Sequence, residues 1–175
     1  MTSPIPERLV SGGQTGADRA ALEWAVGVGL PTGGWVPRGR AAEDGVIPAH
    51  IPGLVECDSD QPATRTRLNV RDSDATLIVS IGALTGGSAL TERHARELGR
   101  PVLHLRIRVG AAPNVAFQDE ALALDDAVGR LQAWLDEHRP RSLNVAGPRA
   151  SKEPGVGDVV RALLGRTLTD EDQTT

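Results

Sequence analysis

One segment restricts the fold more than any other, the run Ala75-Thr76-Leu77-Ile78-Val79-Ser80-Ile81. It is nearly continuously apolar and contains β-branched residues, which is typical of a strand buried on both faces of a parallel sheet. Parallel strands are joined by crossover connections that contain helices, and these helices cover the sheet. The run therefore predicts an α/β protein with helices on both sides of a sheet.

The rest of the chain alternates short strands with helices, as such a sheet requires. Further strands are predicted at Leu9-Val10, Leu54 to Cys57, Pro101 to Ile107 and Leu143 to Ala146. Helices are predicted over Ala17 to Gly29, Ala63 to Arg71, Ser88 to Gly99, about Asp119 to His138, and Val156 to Leu164. The fold class is therefore α/β, with three layers in the order α/β/α and a mainly parallel sheet of about five strands. Residues 1–168 are expected to form a single domain, and residues 169–175 a polar C-terminal tail.

Composition and charge exclude several classes of protein. The 175 residues carry a net charge of −4 and the sequence pI is near 5.6, which argues against broad binding to nucleic acid or anionic lipid. The single Cys57 excludes an internal disulfide framework, and no apolar run approaches the roughly 20 residues of a membrane span. The first residues lack the pattern of a signal peptide, so a cytoplasmic location is expected. The four histidines have no ligand spacing, so no metal site is predicted.

Two glycine-rich turns are predicted to hold a phosphate group. One is Ser11-Gly12-Gly13-Gln14-Thr15-Gly16, and the other is Gly82-Ala83-Leu84-Thr85-Gly86-Gly87-Ser88. Each turn joins an apolar run to a helical pattern, so backbone N–H groups and the positive end of the helix dipole face the end of the strand. Parallel sheets bind their ligands at this edge. The residues assigned to the phosphate site are Gly12, Gly13, Gln14, Thr15, Gly16, Thr85, Gly86, Gly87 and Ser88.

A stretch rich in glycine and proline, residues 31–52, has no periodic pattern and is predicted to be a long functional loop. Within it, Arg38 and Arg40 are expected to bind phosphate or carboxylate oxygens. Trp35 offers a flat face for a heterocycle. The alternative interpretation is a solvated loop with a tucked tryptophan.

Helices and turns supply the remaining candidates. Arg65 lies four residues before Asn69 on a predicted helix, so both side chains can share one face toward the site. Arg149, Ser151 and Lys152 follow the last strand and are candidates for ligand contact. Lys152, which is the only lysine, is expected to reach the ligand.

Thr15 and Asp18 have the spacing of a capping box, which explains Asp18 without a ligand. Ser88 is expected to cap the helix after the second turn as well as contact the ligand.

Several motifs in one order resemble the molybdenum-cofactor carrier protein family over about residues 9–165. The motifs are Ser11 to Asp18, Gly33 to Arg40, Glu43-Asp44-Gly45, Arg65-Thr66, Asn69-Val70, Asp72-Ser73-Asp74, Thr85 to Ser88, Leu90-Thr91, Asn144 to Arg149 and Ser151-Lys152. The resemblance implies a Rossmann-like domain related to the lysine-decarboxylase-like, cytokinin-activating phosphoribohydrolase group. It also implies binding of the molybdenum cofactor, molybdopterin. Because two helix N-termini are predicted to face one space, phosphate or sulfate is expected to bind there in its place. A homo-oligomer and a molybdoenzyme acceptor are further implications.

The chain resembles the enzymes of that group but differs from them in one motif. The enzymes carry a P-G-G-x-G-T-x-x-E signature. Here Leu84 replaces the proline, Ser88-Ala89 stands in place of x-G, and Glu92 falls one residue early. A non-enzymatic carrier is therefore the main hypothesis, with no catalytic residue assigned. The alternative is an enzyme that binds or hydrolyses a nucleotide-derived ligand, with Glu92, Asp44 or Asp18 as acid or base. A purely structural subunit is the third interpretation.

Overall fold

The structure is a computed structural model that describes residues 4–110 and 121–169. Its strands are β1 (Arg8–Val10), β2 (Thr32–Val36), β3 (Ala41–Ala42), β4 (Gly45–Val46), β5 (Leu54–Glu56), β6 (Ala75–Ser80), β7 (Val102–Arg106) and β8 (Ser142–Ala146). Its α-helices are α1 (Ala17–Gly27), α2 (Pro62–Arg71), α3 (Gly86–Glu97), α4 (Leu124–His138) and α5 (Val156–Leu168). A short 3₁₀-helix covers Arg38–Arg40.

Six strands form one parallel sheet in the order β5-β2-β1-β8-β6-β7. Every residue of β6 is buried, as expected for a strand covered on both faces. Helices α1, α4 and α5 pack together, and α2 packs on α3. The predicted three-layer, Rossmann-like α/β fold is therefore confirmed, with six strands in the main sheet instead of five.

The additional strand, β2, lies in the stretch that was predicted to lack structure. Residues 31–52 in fact contain β2, the 3₁₀-helix and a small antiparallel hairpin of β3 and β4. Gly34 is one reason why the sequence does not predict this strand. Its φ of +138° is unfavourable for other residues, and a Cβ there would lie 2.1 Å from the carbonyl oxygen of Ser11. The backbones of neighbouring segments approach too closely for a side chain.

The predicted helix caps are wrong. The N-cap of α1 is Gly16, with a φ of 80°, and no side chain caps that helix. The Thr15 hydroxyl instead donates to Glu43, and Asp18 pairs with Arg65. Helix α3 begins at Gly86, so Ser88 lies within its first turn and does not cap it.

The other helix predictions agree with the structure to within a few residues, except at the start of α4. The predicted start near Asp119 lies outside the described residues, and the helix begins at Leu124. Among the described helices, none is long and apolar enough to cross a membrane.

Asp74 joins the amino ends of β6 and β8. Its Oδ2 accepts hydrogen bonds from the backbone N–H groups of Ser142 (2.8 Å) and Arg141 (3.0 Å) and from Ser142 Oγ (3.0 Å). These bonds, chiefly that from the Ser142 backbone, hold the pKa of Asp74 below its ordinary value of 3.8.

Asp74→Asn is therefore expected to lower the free energy of unfolding by about 1 kcal/mol at neutral pH, a modest value because the side chain is exposed. Since the pKa of Asp74 is depressed in the folded state, its contribution is complete above pH 3.8 and is lost as the pH falls through the folded pKa. Urea unfolding between pH 7 and pH 2.5 measures this difference. A difference between wild type and variant that stays constant across that range would contradict the assignment.

Candidate ligand-binding cleft

A cleft lies at the carboxyl edge of the sheet, where β1, β8 and β6 end. Its empty volume, counting the solvent at its mouth, is about 570 Å³. The lining residues are Gly12, Gln14, Asp18, Arg65, Thr66, Asn69, Thr85, Gly87, Ser88, Thr91, Asn144, Ala146, Gly147, Pro148, Arg149 and Lys152. The two glycine turns therefore border one cleft, at the position expected for a ligand in a parallel sheet.

The centre of the cleft contains an ion pair between α2 and α1. Arg65 Nη1 lies 2.8 Å from Asp18 Oδ2, and the two side chains are 13% and 5% exposed. The guanidinium lies directly over Gly12, where a Cβ would be 1.3 Å from Arg65 Nη1. Gly12 therefore makes room for the arginine. Arg65 Nε is buried and has no hydrogen-bond partner in the described part of the chain.

The first glycine turn is partly closed by the chain itself. The Ala17 N–H donates to the carbonyl oxygen of Pro148 (3.2 Å), and that of Arg19 donates to the carbonyl oxygen of Gln14 (2.9 Å). A Cβ on Gly16 would lie 2.4 Å from the Pro148 oxygen, so the loop after β8 packs against the start of α1. These two backbone donors at the start of α1 are thus bonded to protein carbonyls.

A carboxylate from elsewhere in the chain binds the backbone at the start of the second turn. Glu153 accepts hydrogen bonds from the backbone N–H groups of Ile81 (2.7 Å) and Gly82 (2.9 Å). The start of α3 is more open, since a Cβ on Gly87 would meet no described atom within 4 Å. Lys152 Nζ lies beside this helix terminus, at 2.9 Å from the position that a Cβ on Gly86 would occupy. The open part of the turn is therefore the first turn of α3.

Asn69 connects α2 to β2. Its Oδ1 accepts from the Trp35 N–H (2.7 Å) and its Nδ2 donates to the Trp35 carbonyl oxygen (2.9 Å), so the amide side chain pairs with the strand backbone. The indole Nε1 of Trp35 donates to Asp72 Oδ2 (2.8 Å). Arg65 and Asn69 both line the cleft, but Trp35 does not.

The two arginines of the 3₁₀-helix bond to backbone carbonyls of their own region. Arg38 donates to the carbonyl oxygen of Asp58, and Arg40 donates to those of Ile47 (3.2 Å) and Pro48 (3.0 Å). Neither arginine lines the cleft. Their hydrogen bonds maintain the loop conformation.

Half of the predicted site residues line the cleft. These are Gly12, Gln14, Arg65, Thr85, Gly87, Ser88 and Lys152. Gly13, Thr15, Gly16, Gly86, Trp35, Arg38 and Arg40 do not line it. Sequence reasoning missed Thr66 and Thr91, which have helical spacing to Asn69 and Ser88 and could have been found from that spacing. Arg149, a candidate together with Lys152 because both follow the last strand, also lines the cleft.

Glu43 lies at the outer rim, at the tip of the β3–β4 hairpin. Ser151 donates to it from both its backbone (3.1 Å) and its hydroxyl (2.5 Å), and Thr15 donates from its hydroxyl. The Ser151 hydroxyl, followed by that of Thr15, holds the pKa of Glu43 below its ordinary value of 4.5. Glu43 is therefore a negative charge beside the cleft at neutral pH. Across residues 4–110 and 121–169, no group of three or more His, Cys, Asp or Glu residues could hold a metal ion.

Comparison with known proteins places the chain in a family. No curated protein matches it. The crystal structure of a protein named "Putative molybdenum carrier protein" from Syntrophus aciditrophicus SB is similar over 95% of this chain and 98% of that one, with 41% identity and a TM-score of 0.86. The model of the circularly permutated YpsA SLOG family, which is Rossmann-like and related to the lysine-decarboxylase-like group, matches residues 9–168. The resemblance in the sequence is thereby confirmed, and the chain belongs to the circularly permutated YpsA SLOG family.

Proposed function

We propose that the chain binds the molybdenum cofactor as cargo and holds the phosphate end of this ligand in the cleft. The observation that carries the proposal is the guanidinium of Arg65, which Asp18 fixes between the two glycine turns. Arg149 and Lys152 add positive charge to the same cleft. The name of the Syntrophus aciditrophicus protein supports a molybdenum-related ligand.

The residues of the cleft fit an anionic ligand that carries polar groups. Arg65 Nε is a buried donor without a partner among the described residues, and a ligand oxygen would satisfy it. The side chains of Asn144, Ser88 and Thr91 offer further hydrogen bonds on other walls. The cofactor would supply its own molybdenum chemistry elsewhere, in the acceptor enzyme, while this chain binds it and shields it from water.

The carboxylates named as catalytic candidates support a carrier over a hydrolase. Glu92 pairs with Arg96 on the surface of α3, at 2.8 Å, and does not line the cleft. Asp44 pairs with Arg19 at 3.0 Å and also lies outside the cleft. Only Asp18, of these three, lines it, and its carboxylate is engaged by Arg65. Asp18 is therefore the residue on which a nucleotide-hydrolysing alternative would depend.

Mass spectrometry of protein purified without air is expected to detect a phosphorylated pterin. The released ligand is expected to reconstitute a cofactor-free molybdoenzyme. Gly87→Val is expected to lose this ligand, because the new side chain enters open space beside the start of α3 and leaves the fold intact. Gly27→Val is the matched control, since a Cβ on Gly27 also meets nothing within 4 Å and lies far from the cleft.

Glu92→Gln is expected to transfer the cofactor as well as wild type, since Glu92 lies outside the cleft. Multiple-turnover release of a base from a nucleoside monophosphate would overturn the carrier function in favour of the enzyme. We also propose that the carrier is a homo-oligomer, as the resemblance implies, and sedimentation analysis tests this.

A further inference from the structure

We infer that Glu43 is a positioning residue of the cleft, which holds the loop after β8 against the first glycine turn and opposes the charge of Arg149. This inference rests on the proposed function for its meaning in ligand binding. Glu43 lies at the tip of the hairpin, and its contacts come from two segments that are distant in sequence: the first turn and the loop at residues 147–155.

The hydrogen bonds of Glu43 connect these segments directly. Its Oε1 accepts from the Thr15 hydroxyl and the Ser151 N–H, while its Oε2 accepts from the Ser151 hydroxyl. Thr15 Oγ1 in turn accepts from the Ala150 N–H at 3.2 Å. The Glu43 N–H donates to Gln14 Oε1 at 2.9 Å. A single side chain thus joins the two segments that carry Gln14 and Arg149 into the cleft.

Charge gives Glu43 a second effect on any bound anion. Arg149 Nη1 lies 3.9 Å from Glu43 Oε2, and the arginine side chain is 43% exposed at the cleft. An anion bound at Arg149 would be attracted by the guanidinium and repelled by the nearby carboxylate. Removing only the charge and removing the whole side chain therefore have different effects.

The hairpin does not depend on Glu43 alone for its position. Ile47, just after β4, is 1% exposed and lies against Gly13, where a Cβ would be 2.8 Å from Ile47 Cδ1. Asp44 accepts two hydrogen bonds from Arg19, at 3.0 and 3.2 Å. A substitution at Glu43 should therefore release the loop after β8 without unfolding the hairpin, and Asp44 provides a control at the same tip.

Hydrogen exchange of the ligand-free protein tests the positioning role. In Glu43→Ala, the amides of Ala150 and Ser151 are expected to exchange about tenfold faster, because their acceptors are lost or released. Asp44→Ala should leave these two amides unchanged, since Asp44 does not contact the loop. Equal exchange in Glu43→Ala and wild type would overturn the inference.

Calorimetric titration with inorganic phosphate tests the charge effect. Glu43→Gln keeps one amide oxygen for the hydrogen bonds from Thr15 and the Ser151 N–H, and the Ser151 hydroxyl can rotate to accept from the amide nitrogen. This variant is expected to bind phosphate roughly two- to fivefold more tightly than wild type. Glu43→Ala is expected to bind more weakly than Glu43→Gln, because its loop is released. Equal affinity of both variants and wild type would overturn the charge effect. If wild type binds no phosphate while the exchange of Glu43→Ala increases, the positioning role stands and the proposed function fails.

Discussion

Arg65→Ala is expected to weaken the binding of inorganic phosphate by about 10- to 100-fold, which corresponds to the loss of a charge-assisted hydrogen bond. The same substitution is expected to lower the free energy of unfolding by about 3 kcal/mol, because it leaves the nearly buried carboxylate of Asp18 without its partner. Calorimetric titration at fixed salt measures the first effect, and urea unfolding measures the second.

The double variant Arg65→Ala with Asp18→Ala separates these two effects. Removing both charges is expected to recover most of the lost stability, since no unpaired carboxylate remains. Phosphate binding is expected to stay weak, because the guanidinium is still absent. Wild-type affinity in either variant would return Arg65 to a structural role.

Gly147→Ala is expected to lower the free energy of unfolding by about 3 kcal/mol. Gly147 follows β8 directly, and a Cβ there would lie 2.3 Å from the carbonyl oxygen of Val79 and 2.6 Å from Ala17 Cβ. The Val79 oxygen belongs to the strand β6 and Ala17 to the helix α1. Because both elements are packed, neither atom can move aside as the end of a flexible side chain could. Urea unfolding at neutral pH measures the loss.

Gly27→Ala is the control for Gly147→Ala. Gly27 is the last residue of α1, and a Cβ there would meet nothing within 4 Å, so its stability is expected to match or slightly exceed that of wild type. If Gly147→Ala unfolds at the same urea concentration as Gly27→Ala, the space between Gly147, β6 and α1 can accommodate a methyl group and this assignment is wrong.

Local patterns in the sequence were sufficient to predict the main strand and the shared face of α2. The apolar run from Ala75 predicts β6 because burial on both faces demands apolar residues throughout. The four-residue spacing of Arg65 and Asn69 predicts a shared helix face because the α-helix repeats every 3.6 residues. Both side chains do line the cleft.

Long-range contacts could not be predicted in this way. The adjacent glycines Gly33 and Gly34 are not typical of a strand, so the sequence does not indicate β2. The requirement for Gly34 follows from its contact with the Ser11 backbone, which only the structure shows. Arginine often binds anions, yet the donors of Arg40 are directed at the carbonyl oxygens of Ile47 and Pro48. Asp18 has capping-box spacing, but a partner 47 positions away determines its role.

The central position of β8 has a consequence for how the protein is made. This strand is the last in sequence among the described strands, yet it lies between β1 and β6. During synthesis from the amino terminus, β1 and β6 therefore cannot be joined through β8 until β8 emerges from the ribosome. Asn144 and Arg149 arrive with the same segment, so the cleft is incomplete until then. A ligand that needs these two residues can therefore bind only after β8 has emerged.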